Sequence, residues 1–147
     1  MFIGGILLVF GLSIYTAYVY ETQPLRTYEK KEIQIGNASL NVFVADTPEK
    51  RTRGLMGVSH LAEDAGMLFI FSDSSPRTFW NKNTLIDLDL LWISENRVVG
   101  ISALPSISQS GGEIVSIRSP KSADKVVEMN AGWAEQRGVK AGDGVEW

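Results

Sequence analysis

Apolar and polar positions divide the chain into two regimes. From Phe2 to Tyr20 no charged side chain occurs, and every charge lies beyond that stretch. As a helix, these residues would rise about 28 Å, the hydrocarbon thickness of a bilayer. Tyr15, Tyr18 and Tyr20 crowd its C-terminal end, where amphipathic rings sit at headgroup depth. A buried core helix is the weaker alternative for a segment apolar on every face. A cleaved signal peptide would need basic residues before the apolar run and a small-x-small site after it, and neither is present. The pattern predicts a retained transmembrane anchor at residues 2–20, followed by a polar stalk at residues 21–31.

From Glu32 onward the period shortens to two. Ile33 and Ile35 alternate with polar residues, Gly36-Asn37 marks a turn, and Leu40, Val42 and Val44 resume the alternation, which predicts a hairpin. Thr47-Pro48-Glu49 opens a short helix: Thr47 is its cap, Pro48 suits the first turn, and Gly54 ends it. Met67 to Phe71 is an unbroken apolar run of the kind buried on both faces. Ser72 to Pro76 reads as a loop. Arg77–Asn81, Ile86–Ile93 and Val98–Leu104 read as strands, with Glu95-Asn96 as a turn between the last two. Ser106 to Gly112 is a small-residue loop expected to be mobile. Ile114–Ile117 and Val126–Met129 are further strands. Asn130 is placed to cap a second short helix, with Gly138 as its left-handed C-terminal residue. Gly144–Trp147 closes the chain as an edge strand. The sum is a single all-β domain with short helices over residues 32–147, a β-sandwich or barrel.

Composition narrows the chemistry. The 147 residues hold 14 Lys and Arg against 17 Asp and Glu, a formal charge of −3. That balance argues against a nucleic-acid groove while leaving room for a local basic patch, so a nucleic-acid partner is not expected. The absence of Cys excludes disulfides, thiol nucleophiles and thiolate metal sites. The single histidine, His60, excludes a multi-histidine metal centre and stands beside no nucleophile motif. Oxygen ligands alone remain, and no calcium-loop pattern occurs, so neither a metal nor a cofactor is expected.

Three strings carry the remaining signal: RTRGLMG at 51–57, FWNKNTLIDLDLLWI at 79–93 and VVEMNAGWAEQRGVKAGD at 126–143. In order and spacing they resemble the domain of unknown function 192 family, whose recurring pattern reads RGLMG, GMLF, FWMKNT-LDLIF and VLEVNAGWA-GIKxGD. The resemblance spans about residues 40 to 145. It implies a compact, jelly-roll-like β-sandwich, often exported or membrane-tethered, and implies no activity. Asn81 stands where that pattern has Met, and Asp87 where Pro is common. The short GVKAGD string also resembles a piece of peptide-binding PDZ domains, but the carboxylate-binding loop of those domains has no counterpart here.

The candidate site residues are Arg53, Trp80, Lys82, Asn83, Asp89, Glu128 and Trp133. Lys82 and Asn83 fall between two strands, on a rim. Strand alternation puts Asp87 and Asp89 on one face, opposite Leu88 and Leu90; that face is either solvated or turned into a cleft. Trp80 and Trp133 are either core aromatics or stacking surfaces for a flat ligand. Arg53, Asp89 and Glu128 each adjoin strongly apolar neighbours, and a charge so placed stays at an edge or finds a partner. One arginine can bridge two carboxylates, so the three are expected to form a charged cluster.

The leading functional reading is a non-catalytic binding or accessory module at a membrane, with a small ligand or a protein as partner. One rival is a small hydrolase or carbohydrate-active enzyme using Asp89 and Glu128. Another is a structural subunit of a membrane complex, although Gly4, Gly5 and Gly11 form no GxxxG pair. Arg26, Lys30 and Lys31 after the span favour a cytoplasmic domain. The resemblance to exported proteins places it outside, and that is the expectation adopted.

Overall fold

A computed structural model of the chain describes residues 25–147. The predicted anchor at 2–20 lies outside the described residues, as does the first part of the stalk. Among the described residues, no helix is long and apolar enough to cross a membrane.

The elements in chain order are β1 (Lys30–Ile35), β2 (Ala38–Ala45), α1 (Pro48–Arg53), β3 (Ala65–Ser75), β4 (Thr78–Trp80), β5 (Leu88–Ser94), β6 (Arg97–Leu104), β7 (Ser116–Arg118), β8 (Ala123–Asn130), α2 (Trp133–Gln136) and β9 (Val145–Glu146). Seven strands form one sheet in the order β6-β5-β8-β3-β2-β1-β9, and β4 and β7 form a separate two-stranded ribbon. Only β2 and β3 run parallel. The sheet curls until its ends meet: Arg97 at the start of β6 bridges Gly144, just before β9. The mostly-β expectation with short helices is met. In place of two comparable sheets face to face, however, the domain is a half-barrel with a ribbon laid on its outside.

The local signals explain the short elements. Gly36, with φ of +56°, takes the first turn position between Ile35 and Ala38, as a tight hairpin requires. Glu95 and Asn96 both have positive φ, giving the mirror-image turn that joins β5 to β6. The Thr47 hydroxyl accepts from the Lys50 N–H at 3.3 Å, Pro48 begins α1, and Gly54 ends it with its N–H on the Lys50 carbonyl.

The core has two parts, one on each face of the sheet. The concave interior gathers Ile33, Ile35, Leu40, Leu68, Leu91, Ile93, Val127, Met129 and Val145, with Trp133 and Ala134 of α2 over it. The outer face carries Met67, Phe69, Leu88, Leu90, Trp92 and Val126, covered by Leu55, Val58 and Leu61 from the chain after α1. Phe79 of the ribbon packs edge-on against Phe69 and Trp92 at 4.8 and 5.5 Å. Central strands are therefore buried on both sides, and β5 is buried from Leu88 through Ile93. The alternative of a solvated face for Asp89 is thereby removed.

Two further expectations change. The segment Ser72 to Ser75 continues β3 rather than looping, with the register against β8 shifting between Ile70 and Ser75. Asn130 does not cap α2. It is the last residue of β8, and its amide donates to the Leu61 and Ala62 carbonyls at 3.0 and 3.1 Å. Asp89 serves α2 instead, reaching from β5 to accept the Ala134 N–H at 3.1 Å. Gly138 does adopt the left-handed conformation, with φ of +67°.

The loop after Ser106 is closely hydrogen-bonded. Asn81, fully buried, accepts the Val115 N–H at 2.8 Å and donates to the Ser110 hydroxyl at 2.9 Å. Asp87 accepts the Ser106 N–H at 2.6 Å. Asn81 and Asp87 thus hold the same loop.

Candidate functional site

Helix α1 and the chain after it form one wall of a cleft on the outer face of the sheet. The ribbon strand β4 and the turn at 81–85 form the other. The walls are tied together where the Gly57 N–H donates to the Asn83 carbonyl at 2.9 Å. Asn83 makes that tie with φ of +53°, a left-handed conformation that its short amide side chain tolerates.

Three hollows run along this cleft. The central one, about 30 Å³, is lined by Arg51, Thr52, Arg53, Leu55, Met56, Phe79, Trp80, Thr84 and Glu128 among others. Beside it lies a hollow of about 390 Å³ that shares Arg51, Thr52, Phe69, Phe79 and Trp80 and adds Phe71 and Thr78. On the other side, one of about 570 Å³ shares Arg53 and Met56 and adds Asn83, Leu85 and Ile107.

Glu128 belongs to the central hollow. It is 5% exposed, in register with Met67 of β3 and Leu90 of β5, both core residues of the outer face. Burial pushes that carboxyl from its ordinary 4.5 up to about 8, so it is largely protonated at neutral pH. Desolvation is the whole cause: taking a carboxylate out of water costs more than taking out the neutral acid. The backbone beneath it is equally tight. A Cβ at Gly66 of β3 would stand 2.6 Å from the Glu128 carbonyl oxygen.

The cleft walls are cationic and aromatic. The Arg51 guanidinium donates to the Asp46 and Ile70 carbonyls at 2.9 and 2.8 Å, which fastens α1 to β3. It lies 5.3 Å from the Phe71 ring centre, and the Arg77 guanidinium lies 3.9 Å from the same ring. Trp80 is 45% exposed, and the Lys82 ammonium stands 5.1 Å from its ring. Such contacts are worth about 0.5–1 kcal/mol at exposed sites, so they hold the rings in place more than they stabilise the fold.

The candidate residues therefore divide. Arg53, Trp80 and Glu128 meet at the central hollow, Asn83 lines the next one, and Lys82 flanks Trp80. Asp89 and Trp133 do not join them. Asp89 is opposite Met129 in register, and both face the concave interior, so Asp89 and Glu128 point to opposite sides of one sheet. The Arg53–Asp89–Glu128 cluster does not form, and no acid/base pair exists between the two carboxyls. Trp133, 2% exposed, is a core residue of the interior. Sequence reasoning missed Arg51, Thr52, Phe79 and Thr84. All four stand within the RTRGLMG and FWNKNT strings, which were themselves the available signal.

A family description for DUF192, given as "Uncharacterized ACR", matches residues 31–147. Among solved structures, a "putative transcription regulator" from Sinorhizobium meliloti 1021 is similar at 33% identity, TM-score 0.72, over 81% of this chain and 94% of that one. A protein of unknown function from Novosphingobium aromaticivorans is similar at 26% identity, TM-score 0.75, over 86% of this chain and 91% of that one. No curated protein matches.

Proposed function

We propose that this chain, which belongs to the domain of unknown function 192 family, is a non-catalytic binding module held at a membrane by residues 2–20. The cleft over Glu128 is its ligand site. The observation that carries this reading is a buried carboxyl that lines a hollow between helix α1 and the aromatic strand β4. An acid that serves only the fold is paired, because an unmet buried polar group costs about 1–3 kcal/mol. A buried acid at the floor of a hollow with aromatic walls is a candidate binding group. Separation of Asp89 from Glu128 by the sheet removes the two-carboxylate hydrolase as a competitor.

The regulator name borne by the Sinorhizobium relative is not extended to this chain. Its charge of −3 and described helices of six and four residues supply no groove-reading element. The charge-free run of residues 2–20 supports the tether, and a domain outside the cytoplasm is the reading adopted for it.

The test is a fragment screen on the full-length, isotope-labelled chain in detergent, read by NMR shifts. The set spans neutral sugars, amides, amines and carboxylates. The reading requires at least one class to shift Thr52, Phe79, Trp80 and Glu128 together. If every class leaves those residues unmoved, the cleft is not a binding site.

A further inference from the structure

The exposed apolar side chains of the domain gather in one place. Trp80, Leu85 and Ile114 are 45, 49 and 57% exposed, and all three stand around Asn81. Trp80 precedes it, Leu85 follows in the same turn, and the Asn81 N–H donates to the Val115 carbonyl at 3.1 Å, which brings Ile114 alongside. Isolated apolar residues on a surface need no explanation, whereas a patch marks a contact. Two exposed charges of opposite sign flank this one: Glu113 beside Ile114, and Lys82, whose ammonium stands 5.1 Å from the Trp80 ring. An indole edged by a lysine suits the boundary between acyl chains and headgroups. The patch is also one lip of the cleft, since Trp80 and Leu85 line its hollows. The chain enters the domain at the other lip. Leu25 packs against the outer-face core, Tyr28 is buried in it, and the Lys50 ammonium of α1 stands 5.6 Å from the Tyr28 ring.

We propose that the patch of Trp80, Leu85 and Ile114 docks on the phospholipid bilayer, so that the mouth of the cleft lies against the headgroups. This rests on the reading of residues 2–20 as a tether. Along the sequence, five residue steps separate Tyr20 from Leu25, and they span about 18 Å at most. A domain of this length is about 35 Å across, and half its circumference is about 55 Å. The linker therefore holds the outer face, on which Leu25 packs, near the headgroups. It is too short to turn the far side of the domain towards them. With one charge of each sign, the patch needs no anionic lipid, and a zwitterionic surface serves. One indole and two aliphatic side chains hold a bilayer weakly by themselves. The tether supplies the effective concentration that makes the contact persist.

The four tryptophans make the contact measurable. Trp92 and Trp133 are buried, and Trp147 packs on the concave side with its indole N–H on the Asn96 side chain at 2.7 Å. Trp80 alone stands in the patch. The full-length chain is placed in phosphatidylcholine vesicles with plain or brominated acyl chains, and tryptophan emission is read after flotation. Bromine quenches an indole only at contact range. The expected result is that wild type floats with the vesicles and loses emission in the brominated ones. Trp80→Phe abolishes that loss, Trp147→Phe keeps it, and Leu85→Asp reduces it while the protein still floats. A floating wild type with equal emission in both vesicles overturns the docking, and the tether then stands. A loss that survives Trp80→Phe overturns it as well, because another face is then in contact. A full-length chain that does not float fails the tether, and the docking with it.

Discussion

Replacing Glu128 by Gln separates the charge of this residue from its shape, and the consequence for stability follows from burial alone. The folded-state carboxyl titrates near 8, against 4.5 when solvated. Between those values the folded chain holds a proton that the unfolded chain has released. Stability is therefore fully present below pH 4.5 and is lost as pH rises through 8, at about 1.4 kcal/mol per pH unit. The residue is only 5% exposed, so solvent screening reduces the effect little. By pH 7.5 the accumulated cost is about 4 kcal/mol, a large part of an ordinary domain's stability. Glutamine buries a similar polar group with nothing to ionise. The variant is expected to match wild type within about 1 kcal/mol at pH 5 and to exceed it by about 4 kcal/mol at pH 7.5. Urea denaturation of both proteins at pH 5, 6, 7 and 8 measures this difference, with every other titrating group common to the pair. Parallel profiles across that range would refute the reasoning, because they would mean that Glu128 ionises as freely in the fold as outside it.

Other outcomes follow from neighbouring contacts. Asn81→Met removes the side-chain hold on the loop after Ser106. It should cost about 2–3 kcal/mol and speed amide hydrogen exchange at Val115, whereas unchanged exchange would deny Asn81 that role. Asp89→Ala should lower stability by about 1–2 kcal/mol through the lost bond to the Ala134 N–H, and leave ligand shifts in the cleft untouched. Loss of those shifts would tie Asp89 to the site despite the sheet between them. Deleting residues 1–24 should move the protein from the membrane fraction to the soluble one, and an alkaline-phosphatase fusion after Trp147 should be active. Retention of the truncated chain in membranes, or an inactive fusion, would contradict the tether or its orientation respectively.

The short-range features were legible because their causes are short-range. Thr47, Pro48 and Gly54 bracket α1 by local hydrogen bonds and backbone preference, and Gly36 and Glu95-Asn96 form tight turns for the same reason. The charged cluster failed on register. Alternation tells which residues of one strand share a face, but not which face of the sheet that is. Asp89 pairs with Met129 and Leu90 with Glu128, so a single position separates the interior from the cleft. Both strands are buried on both sides, which erases the polar alternation that would have distinguished them. The order of the Ser106 loop was hidden because its restraints come from Asn81 and Asp87, 19 to 34 residues away. Half of the site was visible as residues in recurring strings. Their convergence on Glu128 needed the ribbon β4–β7 to fold over the sheet, a long-range event without a local signature.

The account turns on a neutral acid at the floor of the cleft, and the carboxyl carbon of Glu128 reports on it directly. Full-length protein labelled with ¹³C at the glutamate side-chain carboxyl, with Glu128→Gln to assign the resonance, is titrated by NMR from pH 4 to pH 9.5. A midpoint near 8 is predicted for that resonance. A midpoint near 4.5 would show a charged, solvated or paired carboxylate in the free protein, and would contradict the account.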